Sequence, residues 1–467
     1  MITHDSLARS VAAFLMGFVI IGFAALAHAT PSPLSATDAA AVIAAWRAAP
    51  EFPMPADLVI QAERLASADP AVRADADAAL ARAATRLATL EHGRIDNPRA
   101  VDADWALRVA YDAQRDFDAA RDGGRVPAWV AALPRTNPGY LALLAERRRY
   151  EAIRHGGGWP SVPEGSDLRL GAAGGRVAAL RARLEAEGFL AATAGAPAVF
   201  DAPLAAAVAV FQKHHRTQSD GVVNARTLRV LNVPVEDRLR AIDASLERER
   251  WLPDPLPPER IEVDVARAHA TLFAGDKPVL TMRAIVGAPR HRTPIFRARV
   301  TGIVFNPPWN VPTSIAAAEL YPKERRFPGY FAGHGFYVAD GRLIQRAGPK
   351  ASLGLVKFDL DDPFGVYLHD TPARGLFKQH HRALSHGCMR LEAPRELAAA
   401  LLSTQGWDRG AVDAIIAAGA TKRVGLRAPM PTIVVYRTAQ IGPDGRAMFR
   451  RDIYGWDAKL IAALSRM

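Results

Sequence analysis

The chain has 467 residues, too many for a single hydrophobic core, so two to four domains are expected. With 49% hydrophobic and 23% charged residues, the composition is that of a folded protein and excludes an intrinsically disordered chain. The formal net charge of +11 comes from arginines spread over the whole sequence, which excludes a single basic tail as its source.

The first 29 residues differ from the rest and are predicted to be a signal peptide. Arg9 precedes an apolar run from Val11 to Leu26, and Ala27-His28-Ala29 forms a small-x-small cleavage pattern before Thr30. The alternative is an uncleaved membrane anchor, for which a run of about sixteen residues is short. We therefore expect an exported, periplasmic protein. No later segment is long and apolar enough to span a bilayer.

Export limits the anionic partners that this positively charged protein could bind. Nucleic acid is disfavoured outside the cytoplasm, whereas an anionic polymer such as the bacterial cell wall fits. The alternative is an arginine-rich proteome in which the charge has little meaning.

Residues 30–155 are predicted to form a helical scaffold domain of four to six short helices. The segment is rich in alanine, and Leu80, Leu87 and Leu90 recur at helical spacing. Proline and glycine interrupt it at 50–55, 97–98, 123–124 and 134–139. No catalytic pattern is visible there.

A linker-like stretch at 155–165 precedes a compact unit over residues 163–234. Three apolar stripes at helical spacing predict three short helices. The stripes are Val177, Leu180 and Leu184; Leu204, Val208 and Phe211; and Leu228 and Leu231. A turn at Ser219-Asp220-Gly221 leads into the third helix.

Residues 259–440 are predicted to be a β-rich domain, which makes the whole chain a multidomain α+β protein, with 441–467 as a C-terminal segment. Strands are predicted at 261–265, 269–273, 279–286, 301–305, 356–360 and 365–369, and one helix after Pro394. An aromatic and basic insertion at 313–355 interrupts the strands. We expect a lid over the active site, with an ordinary surface insertion as the alternative.

Cys388 is the only cysteine, and it stands in the string LSHGCMRL. A lone cysteine in an exported chain has no disulfide partner, so it is either inert and buried or reactive. Gly387 permits a tight turn that places backbone N–H groups beside the sulfur as oxyanion donors. His386 and Arg390 put positive charge nearby, which favours the thiolate. This setting favours a nucleophile.

A nucleophilic cysteine needs a base, and His369 is the preferred candidate. It ends the apolar strand predicted at 365–369, whereas His380 and His381 lie in a polar loop and are predicted to be bystanders. A zinc site is the rival chemistry, but one cysteine without paired ligand spacings fits poorly, so no metal or cofactor is expected.

Two stretches resemble known families. Residues 167–232, with Phe211-Gln212, Asp220-Gly221 and Thr227-Leu228, resemble a three-helix peptidoglycan-binding module. His369, Ser385-His386-Gly387-Cys388 and Arg390 resemble the signature of YkuD-type L,D-transpeptidases, as do Val286-Gly287, Thr293-Pro294 and the run from Asn306 to Pro312. The arrangement of domains is similar to that of the large YcbB-like subgroup.

The resemblance implies a cysteine transpeptidase that acts on peptidoglycan stem peptides. Cys388 would attack at diaminopimelate, expel D-alanine and form a thioester, which a second stem amine would resolve into a 3→3 cross-link. His369 would move protons, oriented by the Asp370 carbonyl or assisted by its carboxylate. His386, with the Gly387 and Cys388 amides, would stabilise the oxyanion. Arg390, Asp370, Tyr367, Asn306 and Trp309 are the expected substrate-binding residues. Glycan is a further expected partner, and carbapenem β-lactams are expected covalent inhibitors.

Overall fold

The computed structural model describes residues 32–108, 110–192 and 198–466, so the predicted signal peptide at 1–29 lies outside the described residues. None of the helices within this part of the chain has the length and apolar character needed to cross a membrane.

The N-terminal region is helical, as predicted. Ser35 and Asp38 form a capping box that begins the first helix, and Asp69 caps the long third helix ahead of Pro70. Leu80 and Leu87 are fully buried between the helices. The helices are α1 Ala36–Ala48, α2 Leu58–Arg64, α3 Pro70–Glu91, α4 Pro98–Val101, α5 Ala113–Asp122, α6 Val126–Ala131 and α7 Pro138–His155.

One short strand of this region, β1 Trp105–Ala106, leaves the helices and joins the catalytic sheet. Trp105 is fully buried and its ring lies against those of Trp251 and Trp456, at centroid distances of 5.7 and 5.9 Å. The N-terminal region is therefore attached to the β-rich domain by aromatic packing as well as by strand pairing.

The three predicted module helices are present, and the residues of their stripes are buried. They are α8 Gly175–Ala186, α9 Ala202–His214 and α10 Ala225–Leu231. Gln212 is completely buried; its side-chain amide donates to Asp220 and the Val222 carbonyl, and its carbonyl oxygen accepts from the Gly221 N–H. Gln212 and Asp220-Gly221, which carry the resemblance to the module, thus belong to one internal hydrogen-bond network.

A helix that the sequence analysis missed, α11 Val235–Arg250, connects the module to the β-rich domain. Its buried face carries charge: Glu247 accepts from the Ile95 N–H and the Trp251 indole, and Arg248 pairs with Asp457 at 2.7 Å. Buried charges of this kind hide the apolar periodicity from which a helix is predicted.

The β-rich domain is one ten-stranded sheet, which includes β1. The path runs β5-β13-β2-β3-β4-β12-β10-β9, and β9 pairs with β5 again, so these eight strands close into a ring. The strands are β2 Arg260–Asp264, β3 His269–Ala274, β4 Lys277–Gly287, β5 Ile295–Phe305, β9 Val356–Leu360, β10 Leu368–His369, β11 Ala383–Ser385, β12 Met389–Leu391 and β13 Lys422–Val435. The central strand β13 was not predicted.

Three helices and a hairpin complete the domain. They are α15 Pro394–Leu402, α16 Arg409–Ala417, α17 Trp456–Leu464, β14 Ala439–Ile441 and β15 Ala447–Phe449. Trp456 and Leu460 belong to the main core, and the hairpin packs with α7 and α11. Residues 441–466 are therefore integrated into the fold and do not form a separate segment.

The insertion folds into a small unit with its own core. It contains α12 Thr313–Ile315, a π-helical turn at Ala316–Leu320, α13 Tyr321–Arg326 and α14 Tyr330–Gly333. Its strand β8 Arg342–Gln345 pairs on one side with β7 Phe336–Ala339 and on the other with β6 Trp309–Asn310. Val311, Leu320 and Phe336 pack at its centre.

Candidate active site

Two short parallel strands bring the predicted nucleophile and base together. Leu368 pairs with Met389 and His369 pairs with Arg390 across β10 and β12, and the Met389 N–H donates to the Tyr367 carbonyl at 3.0 Å. Cys388 immediately precedes β12, and Tyr367 immediately precedes β10. Because neighbouring strands lie roughly 5 Å apart, this pairing seats Cys388 beside the Tyr367–His369 edge.

Tyr367 is the neighbour that favours the thiolate form of the sulfur. Its backbone N–H and its hydroxyl both act to lower the pKa of the Cys388 thiol. The indole of Trp309 acts in turn on the Tyr367 hydroxyl and opposes the rise that burial causes in its pKa. Trp309 therefore acts on Tyr367, which in turn acts on the nucleophile.

Local positive charge acts toward the thiolate, as that of Lys357 does, but it does not keep the resting sulfur ionised in this conformation. Burial raises the pKa of Cys388 and outweighs the two hydrogen bonds from Tyr367, and the negative charge of Asp362 acts in the same direction as burial. The resting sulfur is therefore a neutral thiol at neutral pH. A thiol needs a base to remove its proton before it attacks.

His369 is also buried and neutral. Burial, followed by the charge of Arg390, lowers the pKa of His369 to about 3, although the carbonyls of Asp370 and Leu353 favour the protonated ring. Nδ1 of His369 has no hydrogen bond of good geometry to the described residues. A neutral imidazole beside a neutral thiol is a pair in which a proton can pass from sulfur to nitrogen.

The contacts of Asp370 differ between its carboxylate and its backbone carbonyl, the two groups that could act on His369. Its carboxylate accepts from the Leu355 N–H at 3.0 Å and from Arg374 at 3.2 Å, whereas its backbone carbonyl is the part that acts on His369. The carboxylate is thus engaged in holding the loop after the insertion, and no contact between it and the imidazole is observed among the described residues.

The turn that carries Cys388 is fixed by a buried hydroxyl. Thr293 is completely buried; its hydroxyl donates to the Gly387 carbonyl at 2.7 Å and accepts from the Gly287 N–H at 2.8 Å. The Tyr454 hydroxyl donates to the Gly287 carbonyl and accepts from the Thr293 N–H. Gly387 has φ +113°, a region that favours glycine. Thr293 and Tyr454 are positioning residues that the sequence analysis had not assigned.

One predicted oxyanion donor is occupied. The Gly387 N–H donates to the Ser385 hydroxyl at 3.2 Å, and that hydroxyl donates to the Cys388 carbonyl at 2.6 Å. The Gly387 N–H is therefore engaged within the turn in this conformation. The Cys388 N–H makes no hydrogen bond within the described ranges, so it is the available backbone donor.

His386 connects the catalytic turn to the insertion. Its Nε2 hydrogen-bonds to Glu319, which lies in the π-helical turn, and its ring lies 4.8 Å from that of His291. Both partners are about one-third exposed, with side-chain exposures of 34% and 38%, so water screens the pair. The insertion thus touches the SHGC turn directly.

Two further predicted site residues, Arg390 and Asn306, differ in whether their side chains already have hydrogen-bond partners. Arg390 is half-buried beside Cys388, and its Nε has no hydrogen-bond partner in the described part of the chain, so it can receive a carboxylate. Asn306 is only 3% exposed, and its side-chain amide donates to the carbonyls of Ile416 and Ala420. The Asn306 amide therefore anchors the end of α16.

His380 and His381 are exposed and lie away from the Cys388–His369 pair, on a cavity next to the module.

Two family models match this chain. Residues 258–421 match YkuD, the L,D-transpeptidase catalytic domain, and residues 173–231 match the model described as "Putative peptidoglycan binding domain". The first match contains both Cys388 and His369. The chain therefore carries a YkuD-type catalytic domain and a peptidoglycan-binding domain behind a helical N-terminal region, which confirms the predicted fold class.

Among curated proteins, the chain is similar to a "Putative L,D-transpeptidase" of Haemophilus influenzae, with 34% identity over 203 residues. The match covers 39% of this chain and 41% of that protein, so it spans less than half of the relative.

Solved structures of L,D-transpeptidases match at low overall similarity. That of Stackebrandtia nassauensis has 13% identity and a TM-score of 0.23 over 59% of this chain and 96% of its own. That of Xylanimonas cellulosilytica has 15% identity and a TM-score of 0.20 over 58% and 99% of the two chains.

Proposed function

We propose that this protein is a periplasmic L,D-transpeptidase that forms 3→3 cross-links in peptidoglycan through a thioester on Cys388. The observation that carries the proposal is the seating of Cys388 beside Tyr367 and His369 on adjoining parallel strands, within the residues that the catalytic family model matches. The peptidoglycan-binding domain on the same chain supports a wall substrate.

The first half-reaction begins from a neutral pair. His369 takes the thiol proton as Cys388 attacks the carbonyl carbon of the third stem residue, and the carbonyl oxygen becomes an oxyanion. The Cys388 N–H is placed to stabilise that oxygen. His369 then returns the proton to the leaving nitrogen, D-alanine departs, and a thioester remains on Cys388.

In the second half-reaction an amine is the nucleophile and the sulfur of Cys388 is the leaving group. The side-chain amine of an acceptor stem attacks the thioester carbon, His369 takes a proton from that nitrogen, and collapse of the second oxyanion expels the sulfur. The sulfur recovers its proton from His369. Arg390 is proposed to bind a stem carboxylate beside the reacting carbonyl, because its guanidinium is half-buried and without a carboxylate partner among the described residues.

The insertion is proposed to be the lid. Glu319 reaches His386 of the catalytic turn, and Trp309, at the base of the insertion sheet, reaches Tyr367. A stem peptide on Cys388 would therefore lie under the insertion. Together with the helical region and the module, this organisation supports the YcbB-like subgroup as the proposed relation.

Two other outcomes use the same chemistry. Water in place of the acceptor amine would make the protein an L,D-carboxypeptidase, and a protein amine would make it an anchoring enzyme. A non-catalytic wall-binding protein is the alternative from another class, and the neutral thiol–imidazole pair speaks against it because such a pair serves no binding role.

Product analysis tests the proposal. Muropeptides from tetrapeptide-rich peptidoglycan incubated with the full chain should contain 3→3 dimers, and Cys388→Ala should leave the substrate unchanged. Tripeptides alone would replace the transpeptidase with the carboxypeptidase. Unchanged muropeptides with the unmodified chain would favour the binding protein.

A further inference from the structure

A cavity that Cys388 does not line lies beside the peptidoglycan-binding module. It has a volume of about 640 Å³ and lies where four parts of the chain meet: the end of α9 with α10 of the module, helix α11, the loop before β11, and the segment after β15. This volume is in the range of sites for small-molecule ligands, which often lie between domains.

The cavity is lined by arginines from each of these parts. They include Arg216 and Arg226 of the module, Arg238 of α11, Arg382 before β11, and Arg450 and Arg451 after β15. No carboxylate of the residues that the structure describes lies within 4.0 Å of a nitrogen of these six guanidiniums. A low-dielectric cavity with one sign of charge concentrates its field, which attracts anions.

Backbone carbonyls hold five of these six guanidiniums, all except that of Arg451. Arg382 donates to the carbonyls of Ala284, Ala268 and Gln379, and Arg238 donates to that of Val230 at 2.9 Å. Carbonyls fix the geometry of a guanidinium and leave its charge uncompensated. The site is therefore rigid before a ligand arrives, which reduces the entropy that binding costs.

Several buried nitrogen atoms at the cavity lack a partner among the described residues, and three of them can donate at the same time, because the neutral ring of His215 has a single N–H. The Nε atoms of Arg238 and Arg450 and both ring nitrogens of His215 are buried without a hydrogen-bond partner in the described ranges, and Arg238 and His215 are each only 8% exposed. Buried donors of this kind normally find an acceptor. An oxyanion in the cavity would supply one.

Among the described residues, nearby carboxylates act on the cavity arginines without forming ion pairs with them: Glu187 acts on Arg238, and Glu392 acts on Arg382. Glu187 lies 3.9 Å from His215 and is paired with Arg183, which is outside the cavity. Asp264 acts on Arg216 and Arg450 from behind the wall, but burial raises its pKa and one of its oxygens accepts from the Arg267 N–H. Burial lowers the pKa of both Arg382 and Arg450 to about 10, so both stay charged at neutral pH.

We infer that this cavity is a binding site for a small ligand that carries two or more oxyanions, either carboxylate or phosphate. A guanidinium fork matches both groups in bidentate geometry. The ligand would contact the module and the catalytic domain together, so it would strengthen their attachment. This inference does not depend on the proposed transpeptidase activity, because the cavity lies apart from Cys388.

Binding can be measured on the full chain with two simple probes, pyrophosphate and tricarballylate, at constant ionic strength adjusted with chloride. We expect at least one probe to bind and to raise Tm by about 3 °C or more at saturation. Tighter binding of pyrophosphate would identify a phosphate ligand, and tighter binding of tricarballylate a carboxylate ligand. In hydrogen exchange, residues 216–230 and 379–384 should gain protection.

Charge variants locate the site. Arg226→Gln/Arg451→Gln should lose affinity at least tenfold, and Arg451→Gln alone, at an exposed position that folding does not require, should lose severalfold. Arg47→Gln/Arg64→Gln removes the same charge from exposed positions of the N-terminal region and should bind normally. Failure of both probes to bind, or equal weakening in the control variant, would overturn the inference, whatever the outcome of the muropeptide assay.

Discussion

The catalytic pair and the arginine-lined cavity lie near opposite ends of one short segment, residues 382–388, and burial affects them in opposite ways. At Cys388 and His369, burial removes charge, because a thiol and an imidazole can each adopt a neutral form near neutral pH. At the cavity, burial leaves the charge in place, because arginine keeps its proton even when its pKa falls to about 10. Low dielectric thus favours proton transfer at one site and anion binding at the other.

The largest loss of activity is expected when His369, the base of the Cys388–His369 pair, is removed. His369→Ala removes the proton acceptor, so the rate of cross-link formation should fall about 10²- to 10⁴-fold. His380→Ala/His381→Ala is the matched control, because those two histidines are exposed and away from the sulfur, and it should retain activity. Equal losses in the two variants would remove His369 from the mechanism.

The pH dependence of alkylation tests the neutral state of the thiol. Since burial raises the pKa of Cys388, the thiolate fraction and the iodoacetamide rate should increase about tenfold per pH unit, without reaching a plateau at the usual pKa of a thiol near 8.5. Because the pKa of His369 is about 3, protonation of its ring should have no effect between pH 5 and 8. A plateau at pH 6 would mean a resting thiolate and would contradict this description.

The substitution Tyr367→Phe tests how the Tyr367 hydroxyl affects the pKa of the buried Cys388 thiol. The substitution keeps the ring and the backbone N–H but removes the hydroxyl that stabilises the thiolate, so the pKa of Cys388 should rise further. Alkylation at fixed pH should slow about tenfold, which is the scale of one charge-assisted hydrogen bond. Tyr337→Phe, a half-buried tyrosine of the insertion, should leave the rate unchanged.

The catalytic turn provides a smaller effect through Thr293. Thr293→Val preserves shape but leaves the Gly287 N–H and the Gly387 carbonyl without their buried partner, which costs about 1–3 kcal/mol. Tm and cross-linking rate should both decrease, measured by calorimetry and product analysis. Thr301→Val, where the part-exposed hydroxyl makes two long contacts, to the Asp359 carbonyl at 3.5 Å and from Arg423 at 3.4 Å, should change neither by much.

The smallest effect is expected at the contact between the insertion and the turn. Glu319→Gln keeps a hydrogen bond to His386 but loses the charge, and the site is one-third exposed, so KM should change only a few-fold and Tm should not change. Glu63→Gln, exposed in the N-terminal region, is the control. A loss as large as that of His369→Ala would instead assign Glu319 a catalytic role.

The sequence predicts what depends on local patterns. The module stripes and the strand-end His369 were found because apolar spacing and the SHGC string are both short-range signals. The helix α11 was missed because Glu247, Arg248 and Arg250 are buried in ion pairs, and β13 was missed because Pro429 and Pro431 read as strand breakers. Strand β13 accommodates them with a register shift between Gly425 and Met430.

The protonation states and hydrogen-bond partners of side chains could not be predicted from the sequence, because tertiary contacts determine them. Adjacent Arg390 and His386 suggested a thiolate, whereas burial and Asp362 favour the thiol. Asn306 resembled a substrate contact but caps a helix end more than 100 residues away in sequence. The cavity combines arginines from four parts of the chain, and no local motif predicts such a cluster.

Carbapenem acylation followed by intact mass measurement tests the central claim most directly, because it asks whether the buried thiol of Cys388 attacks an acyl carbon. The full chain should gain the mass of one carbapenem, Cys388→Ala should gain none, and His369→Ala should react far more slowly. An unmodified wild-type chain, or an adduct that persists in Cys388→Ala, would contradict the assignment of Cys388 as the nucleophile.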